Sequence, residues 1–316
     1  MKFPGIVFGS LLLYTASAWN TDVHQQIGFM AEEFLTPYTI GVIRNILEPW
    51  YQGSIGRAAA WADRYAHTAE GRFSYQWHWI DSEDTPPTSC NVEYKRDCSK
   101  GGCVVSAIAN QTSILHECIQ QVKDGSLTGG SNTTCSQALK WVTHFLGDIT
   151  QPLHSSGIAA GGNMFNVTFA GHATELHAVW DGFIPHADAG VLRFSNSSLS
   201  PFMAALVDRI RANAFAEPTT SWLQCINPAT PVTCAMAWAA ESNAWTCSYV
   251  YKQVYNNTDL LDSGYAQGAF PIIELQISKA ALRLATWLNT LALGHYERDG
   301  QDFEDPIGNA QQVLVS

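Results

Sequence analysis

The chain has 316 residues and a formal net charge of −11, with 46% hydrophobic residues and 14% charged ones. That length supports one domain with a large core, and the acidic balance leaves no basic stripe of the kind that holds duplex nucleic acid nonspecifically. With no Gly/Ser- or Pro-rich linker and no internal repeat, residues 19–293 read as a single domain.

From the N-terminus, Lys2 precedes an apolar run through Ile6, Val7, Phe8 and Leu11 to Tyr14. Ala16-Ser17-Ala18 follows, the small-residue pattern of a signal-peptidase site. The run is too short to span a bilayer. Residues 1–18 therefore read as a cleaved signal peptide, Trp19 as the mature N-terminus, and the product as a secreted, extracellular protein with no membrane anchor. Apolar residues then recur at intervals of three and four over 23–35, 41–48, 54–66, 104–122, 134–149, 173–182, 200–214, 235–253 and 271–293, which predicts helices there. Pro152 ends the helix over 134–149. Strand-like alternation is scarce, and Asn166-Val167-Thr168-Phe169 is the best candidate for a short hairpin edge. Residues 294–316, polar and acidic before Val313-Leu314-Val315, read as a disordered or removable tail. The expected fold class is mainly α with little β structure.

Cys90, Cys98, Cys103, Cys118, Cys135, Cys225, Cys234 and Cys247 form an even set without the C-x2-C spacing of a zinc finger. In an exported chain such a set makes disulfides, whose pairing the sequence alone does not choose. Asn110, Asn132, Asn166, Asn196 and Asn256 each open a glycosylation sequon, in keeping with secretion and N-glycans.

The chemistry is carried by His144-x3-Asp148 and His177-x3-Asp181, with His154 between them. Residues four apart share a helix face, so each pair presents an imidazole and a carboxylate to one point in space, a ligand set suited to zinc. A lone pair of this kind is more often a surface hydrogen bond. Two pairs, with His154 at the bend after Pro152 and His24, Asp63 and His78 upstream, read as a metal-binding hydrolase site. Three divalent ions there would offset more than half of the formal charge, so phosphate recognition could rest on metal rather than on Lys and Arg.

The order Trp19…His24, Trp61-Ala62-Asp63, Trp77-His78-Trp79-Ile80-Asp81, Asp84-Thr85-Pro86-Pro87 with Cys90-Asn91-Val92-Glu93-Tyr94, His144-Phe145-Leu146-Gly147-Asp148 with Gln151-Pro152-Leu153-His154, Gly161-Gly162-Asn163, and Leu176-His177 with Trp180-Asp181 resembles the secreted, zinc-dependent, single-strand-specific type I nucleases of fungi and plants. The resemblance covers nearly the whole mature chain. It implies a single-domain α-helical fold of the zinc-dependent phospholipase C/nuclease kind, with three Zn2+ ions as cofactors. It also implies hydrolysis of single-stranded DNA and RNA to 5′-phosphorylated products, with removal of 3′-phosphate from 3′-nucleotides by the same catalytic domain. One zinc would sit on Asp63, His78, His144 and Asp148, and a second on His154, His177 and Asp181. The third would take His24, the bridging Asp148, and the free amino group and carbonyl oxygen of Trp19. Asp148 and Asp63 are the implied catalytic carboxylates, the first bridging two zincs and the second orienting the attacking water.

Further roles follow from the same resemblance. Trp79, where the family has Phe, is a platform on which a base stacks, with Asp81 bonding the base edge, Asn163 nearby and the small Ala160 as the apolar wall opposite. The family's Arg or Lys three residues after the first metal-binding aspartate is replaced here by Ala66. Arg64 and His67 are the nearest candidate phosphate contacts, and helical spacing favours His67. The resemblance pairs Cys98 with Cys103 and Cys90 with Cys247. The short loop from Cys225 to Cys234 then favours that pair and leaves Cys118 for Cys135. A secreted zinc phospholipase C shares the N-terminal tryptophan and a similar trinuclear site, but the block from Asp84 to Cys103 and the Trp79/Asp81 pair favour nucleotides. A non-catalytic zinc-binding glycoprotein would need closed coordination, whereas adjacent zincs sharing Asp148 leave positions open for water. The expected state is a monomer.

Overall fold

A computed structural model describes residues 19–191, 199–252, 254–255 and 258–294. The expected signal peptide over 1–18, the tail beyond Gly294, and the sequons at Asn196 and Asn256 lie outside the described residues.

Helices α1 (Thr21–Glu32) and α2 (Pro37–Ile46) open on side-chain caps: Asn20 accepts from the Val23 N–H and Thr36 from the Thr39 N–H. Periodicity suggested one helix over 54–66, but the chain forms two, α3 (Ile55–Ala58) and α4 (Trp61–Ala66). The break at Ala59 and Ala60 leaves a carbonyl that the site below uses. A 3-10 turn over Arg72–His78 leads to α5 (Tyr94–Asp97), the long α6 (Val104–Lys123), and α7 (Thr133–Asp148), capped by Asn132. Another 3-10 turn, Pro152–Ser155, turns the chain back after α7.

Strands β1 (Asn166–Phe169) and β2 (His172–Glu175) form an antiparallel hairpin with Asn166 opposite Glu175 and Phe169 opposite His172. Ala170 and Gly171 at the turn both have positive φ, 52° and 77°, which matches the twist of the strands. The helix expected from 173 therefore begins only at Leu176, because 173–175 belong to β2. From there α8 (Leu176–Ala178), a π turn over Val179–Phe183 and α9 (Ile184–Asp188) run on as one helical stretch. α10 (Ser200–Arg211) and α11 (Pro231–Trp245), the latter continued by a π turn over Thr246–Val250, precede α12 (Tyr265–Leu293). Apolar periodicity puts the start of α12 at 271, whereas the helix begins at Tyr265. Tyr265, Ala266 and Ala269 are buried and extend the inner face upstream, with Pro271 inside the helix.

α12 is buried along most of its length and packs against α1, α2, α7, α9 and α10. The core around it holds Trp19, Phe145, Trp180 and Trp287, all fully buried. Buried indoles need partners, and they have them: Trp287 donates to Thr112 Oγ1 at 3.1 Å and Trp180 to Tyr265 Oη at 2.9 Å. Disulfides join Cys90 to Cys247, Cys98 to Cys103, Cys118 to Cys135 and Cys225 to Cys234. The third ties α6 to α7, the helix that carries the first His/Asp pair. The mainly helical class with little strand is as expected, and no helix of the described residues is long and apolar enough to cross a membrane. Asn110 and Asn166 are exposed, and Asn132 is half-buried with its side chain capping α7.

Candidate metal centre

The site is built on the last turn of α7. His144 and Asp148 lie on one fully buried face, and Gly147 beside them lets α1 approach. A Cβ on Gly147 would sit 3.1 Å from His24 Nδ1, so the ring has its place only because that side chain is missing. His24 stacks on His144 with centroids 3.7 Å apart, and its Nε2 lies 3.1 Å from Asp148 Oδ1. His78, closing the 3-10 turn over Arg72–His78, places Nδ1 3.1 Å from Asp148 Oδ2, 3.1 Å from His144 Nε2 and 3.5 Å from Asp63 Oδ1. His144 Nε2 is 3.3 Å from both Asp63 Oδ1 and Asp148 Oδ2.

A second group forms where the 3-10 turn after α7 meets α8. His154 Nε2 and His177 Nε2 are 3.2 Å apart, with Asp181 Oδ2 at 3.2 Å from His177 and Oδ1 at 3.9 Å from His154. The ligand atoms thus gather as His24, His144 and Asp148, as Asp63, His78 and His144, and as His154, His177 and Asp181. His144 is within reach of two of these groups, where the sequence reading gave it to one. Trp19 is fully buried at the corner beside His24, its indole donating to the Gly147 carbonyl at 3.0 Å, while the Asn20 N–H donates to the Asp181 carbonyl at 2.9 Å.

These atoms fit cations and little else. Backbone carbonyls take the Nδ1 protons of His144 (Ala59, 2.7 Å), His154 (His78, 2.7 Å) and His177 (Gly161, 2.6 Å). Each of those rings, when neutral, then aims an Nε2 lone pair into the site, and two lone pairs facing at 3.2 Å in a buried pocket repel unless a positive charge lies between them. His24 Nε2, Asp63 Oδ2 and Asp148 Oδ1 are buried without a hydrogen-bond partner. Three His/Asp groups of this kind are compatible with a trinuclear metal site.

The electrostatics agree. Burial, helped by the neighbouring His144, pushes His24 down to about 4, and burial with His154 beside it pushes His177 down to about 3, so both stay neutral ligands. Burial also opposes charge on His144, Asp63 and Asp148, but their mutual attraction wins: His144 is held well above its usual range and both carboxyls below theirs. Asp181 moves up, driven by burial and by Asp148 and Asp63, against a hydrogen bond from Gln151. The metal-free cluster therefore retains protons on His144 and Asp181 that a metal ion would displace.

The sign of the pH dependence follows. His24 and His177 sit below their unfolded value, so the stability they contribute is complete above 6.5 and is lost as pH falls through about 4 and about 3. His144 and Asp181, both raised, act in the opposite sense, contributing at low pH and losing that contribution as pH rises. Because a metal ion must displace the protons that His144 and Asp181 hold, metal affinity should fall as pH falls, with His24 and His177, still unprotonated at pH 5, among the last ligands to be protonated. Metal analysis after dialysis over a pH series reads this directly, and a metal content unchanged down to pH 3, or rising as pH falls, would contradict it.

Gln151 steadies the second group, its Nε2 donating to Asp181 Oδ1 and its Oε1 accepting from the Leu153 N–H, both at 2.6 Å. Partners of this kind are worth about 10- to 100-fold in metal affinity or activity. Gln151→Leu should lose that much affinity with the fold intact, measured by competition with a chelator. Undiminished affinity would show that Asp181 needs no such support.

The cluster opens into a cleft of about 340 Å³ whose floor carries Asp63, His78, His154 and His177. Trp79, Asp81, Ala160 and Asn163 line its walls. The Trp79 indole donates to Asp81 Oδ2 at 3.1 Å, opposing the upward push of burial on that carboxyl. Ala159 and Ala160 have positive φ, 50° and 52°, a strain of about 1–2 kcal/mol each, and lead into Gly161, whose carbonyl fixes His177. His67 reaches the cleft, Arg64 is exposed and does not line it, and Ala66 presents only a methyl group. Sequence reasoning missed Gln151, the carbonyls of Ala59, His78 and Gly161, and Tyr75. Tyr75 could have been found from its place three residues before His78, one turn of a 3-10 helix away.

A helical domain with a buried His/Asp cluster at the base of an open cleft defines a metal-dependent hydrolase. The S1/P1 Nuclease family model matches residues 19–293, and the chain belongs to that family. It is 36% identical over 276 residues to Nuclease S1 of Aspergillus oryzae, covering 87% of this chain and 92% of that protein. Nuclease P1 of Penicillium citrinum is 35% identical over 275 residues, covering 86% of this chain and 97% of its own length. Endonuclease 3 of Arabidopsis thaliana is 29% identical over 295 residues, covering 92% of this chain and 95% of its own.

Proposed function

We propose that the protein is a secreted, zinc-dependent endonuclease that cleaves single-stranded DNA and RNA to 5′-phosphorylated products and removes 3′-phosphate from 3′-nucleotides at the same site. The observation that carries this reading is a buried three-group His/Asp cluster at the floor of an aromatic-walled cleft, in a chain of a nuclease family. The donor set of imidazole nitrogen and carboxylate oxygen favours zinc. Asp63, His78, His144 and Asp148 would hold one ion, and His154, His177 and Asp181 a second. His24, Asp148 and the amino and carbonyl groups of Trp19 would hold the third. When bound, zinc supplies an activated water and stabilises charge at phosphorus.

The chain's own groups do the rest. Asp148 turns Oδ1 toward His24 and Oδ2 toward His78 and His144, the arrangement of a bridge. Asp63 keeps Oδ2 buried and unpartnered, able to accept a hydrogen bond from the attacking water and so orient it. Trp79 offers a plane for one base and Asp81 a carboxyl for its edge, and a base must leave its duplex stack to lie there, which selects single strands. His67 stands at the rim as the phosphate contact that Ala66 cannot be. Removal of residues 1–18, a catalytic domain over 19–293, a dispensable tail, N-glycans and a monomeric state complete the proposal.

Incubation with single-stranded DNA, RNA and phosphatidylcholine in parallel tests it. The reading expects nucleic acid cut to 5′-phosphate ends and the lipid untouched. Lipid hydrolysis alone would replace it with a phospholipase.

A further inference from the structure

Three aromatic rings form a ledge along one wall of the cleft, and the outer two have no part in the reading above beyond the rim contact of His67. Tyr75 meets Trp79 edge-to-face, with centroids 5.1 Å apart and planes at 86°, and meets His67 at 5.6 Å and 68°. All three line the same cleft as the metal-ligand candidates. Tyr75 leads directly to the cluster, because a 3-10 helix repeats every three residues and so places Tyr75 on the face that carries His78. It is also 42% exposed, so the ring is open to a ligand in the cleft.

We infer that Tyr75 is a second base-stacking platform, so that the cleft grips two adjacent nucleotides of a single strand. The inference rests on the nuclease reading above and names the substrate length that its site selects. A single planar base cannot stack on two rings set at 86° to each other. The base on Trp79 therefore leaves the Tyr75 ring to a different planar group, and in a single strand the neighbouring base is tethered within reach. A flexible backbone can turn through the angle between the two platforms, whereas a stacked duplex cannot, so the corner adds to single-strand selection. Stacking tolerates every base, so this platform selects length and not sequence.

The test is calorimetric titration of the zinc-loaded protein with two probes, deoxyadenosine and a methylphosphonate-linked dinucleotide of deoxyadenosine. The neutral linkage resists hydrolysis and removes phosphate attraction, so the difference between probes reports the second base. Wild type should bind the dinucleotide more tightly than the nucleoside. Tyr75→Ala should weaken dinucleotide binding by about 10-fold and leave the nucleoside unchanged, within the range for one aromatic–base stack. Tyr75→Phe, which keeps the ring, should bind both as wild type does. Phe73→Ala serves as control, since Phe73 is exposed on the same 3-10 turn but does not line the cleft.

Equal losses for both probes would make Tyr75 a support for Trp79 alone, and no loss for either would leave the second platform without a role; either result overturns the inference. Cleavage of single-stranded DNA by the wild type, assayed on the same preparation, separates this from failure of the underlying reading. An active wild type with an insensitive Tyr75→Ala removes only the second platform, whereas an inactive wild type removes both.

Discussion

Asp148→Asn should abolish nuclease and 3′-nucleotidase activity together and lower the metal content. Asp148 is fully buried, and its two oxygens lie within 3.1–3.3 Å of His24, His78 and His144. An amide of the same shape removes the negative charge that those groups face and turns one acceptor into a donor aimed at imidazole nitrogen. Removing an outer partner of a metal ligand costs about 10- to 100-fold, so replacing the carboxylate that faces His24, His78 and His144 should exceed that loss for both reactions. Metal analysis and two assays on one preparation check it. A variant that keeps full metal content and either activity would show that the two reactions do not share this cluster.

The second large effect is at the N-terminus. An uncleavable residue placed before Trp19 should leave a folded protein with about one zinc fewer and most of its activity gone. Trp19 is buried against Gly147, and the helix that starts next to it brings His24 to Asp148. A free amine can ligate zinc, whereas a peptide nitrogen has its lone pair delocalised into the carbonyl. The indole and core contacts of Trp19 do not depend on the amine, so the loss should fall on metal and turnover with little change in melting temperature. Equal zinc content and equal turnover in extended and processed forms would remove Trp19 from the ligand set and leave the side-chain ligands standing.

The site was legible in sequence to the extent that it depends on helical spacing. His144 with Asp148 and His177 with Asp181 are four apart, and the structure brings each pair together, with His154 turned back by the bend at Pro152. What spacing could not reveal is the backbone's share. The carbonyls of Ala59, His78 and Gly161 decide which nitrogen of each ring faces the cluster, and a carbonyl has no signature in a sequence of side chains. The helical class was legible from periodicity, but the break at Ala59 and the π turn at Val179–Phe183 were not, because tertiary contacts set them against local propensity. Residues 173–175 misled for a related reason: a short half-exposed strand carries too few apolar positions to separate a period of two from one of 3.6.

Stepwise return of zinc to the chelated protein tests the central claim most directly. With single-stranded DNA as substrate, the chelated protein should be inactive, and activity should rise with added zinc to a plateau at about three ions per chain. Full activity in the metal-free protein, or a plateau reached with a single ion, would contradict the account.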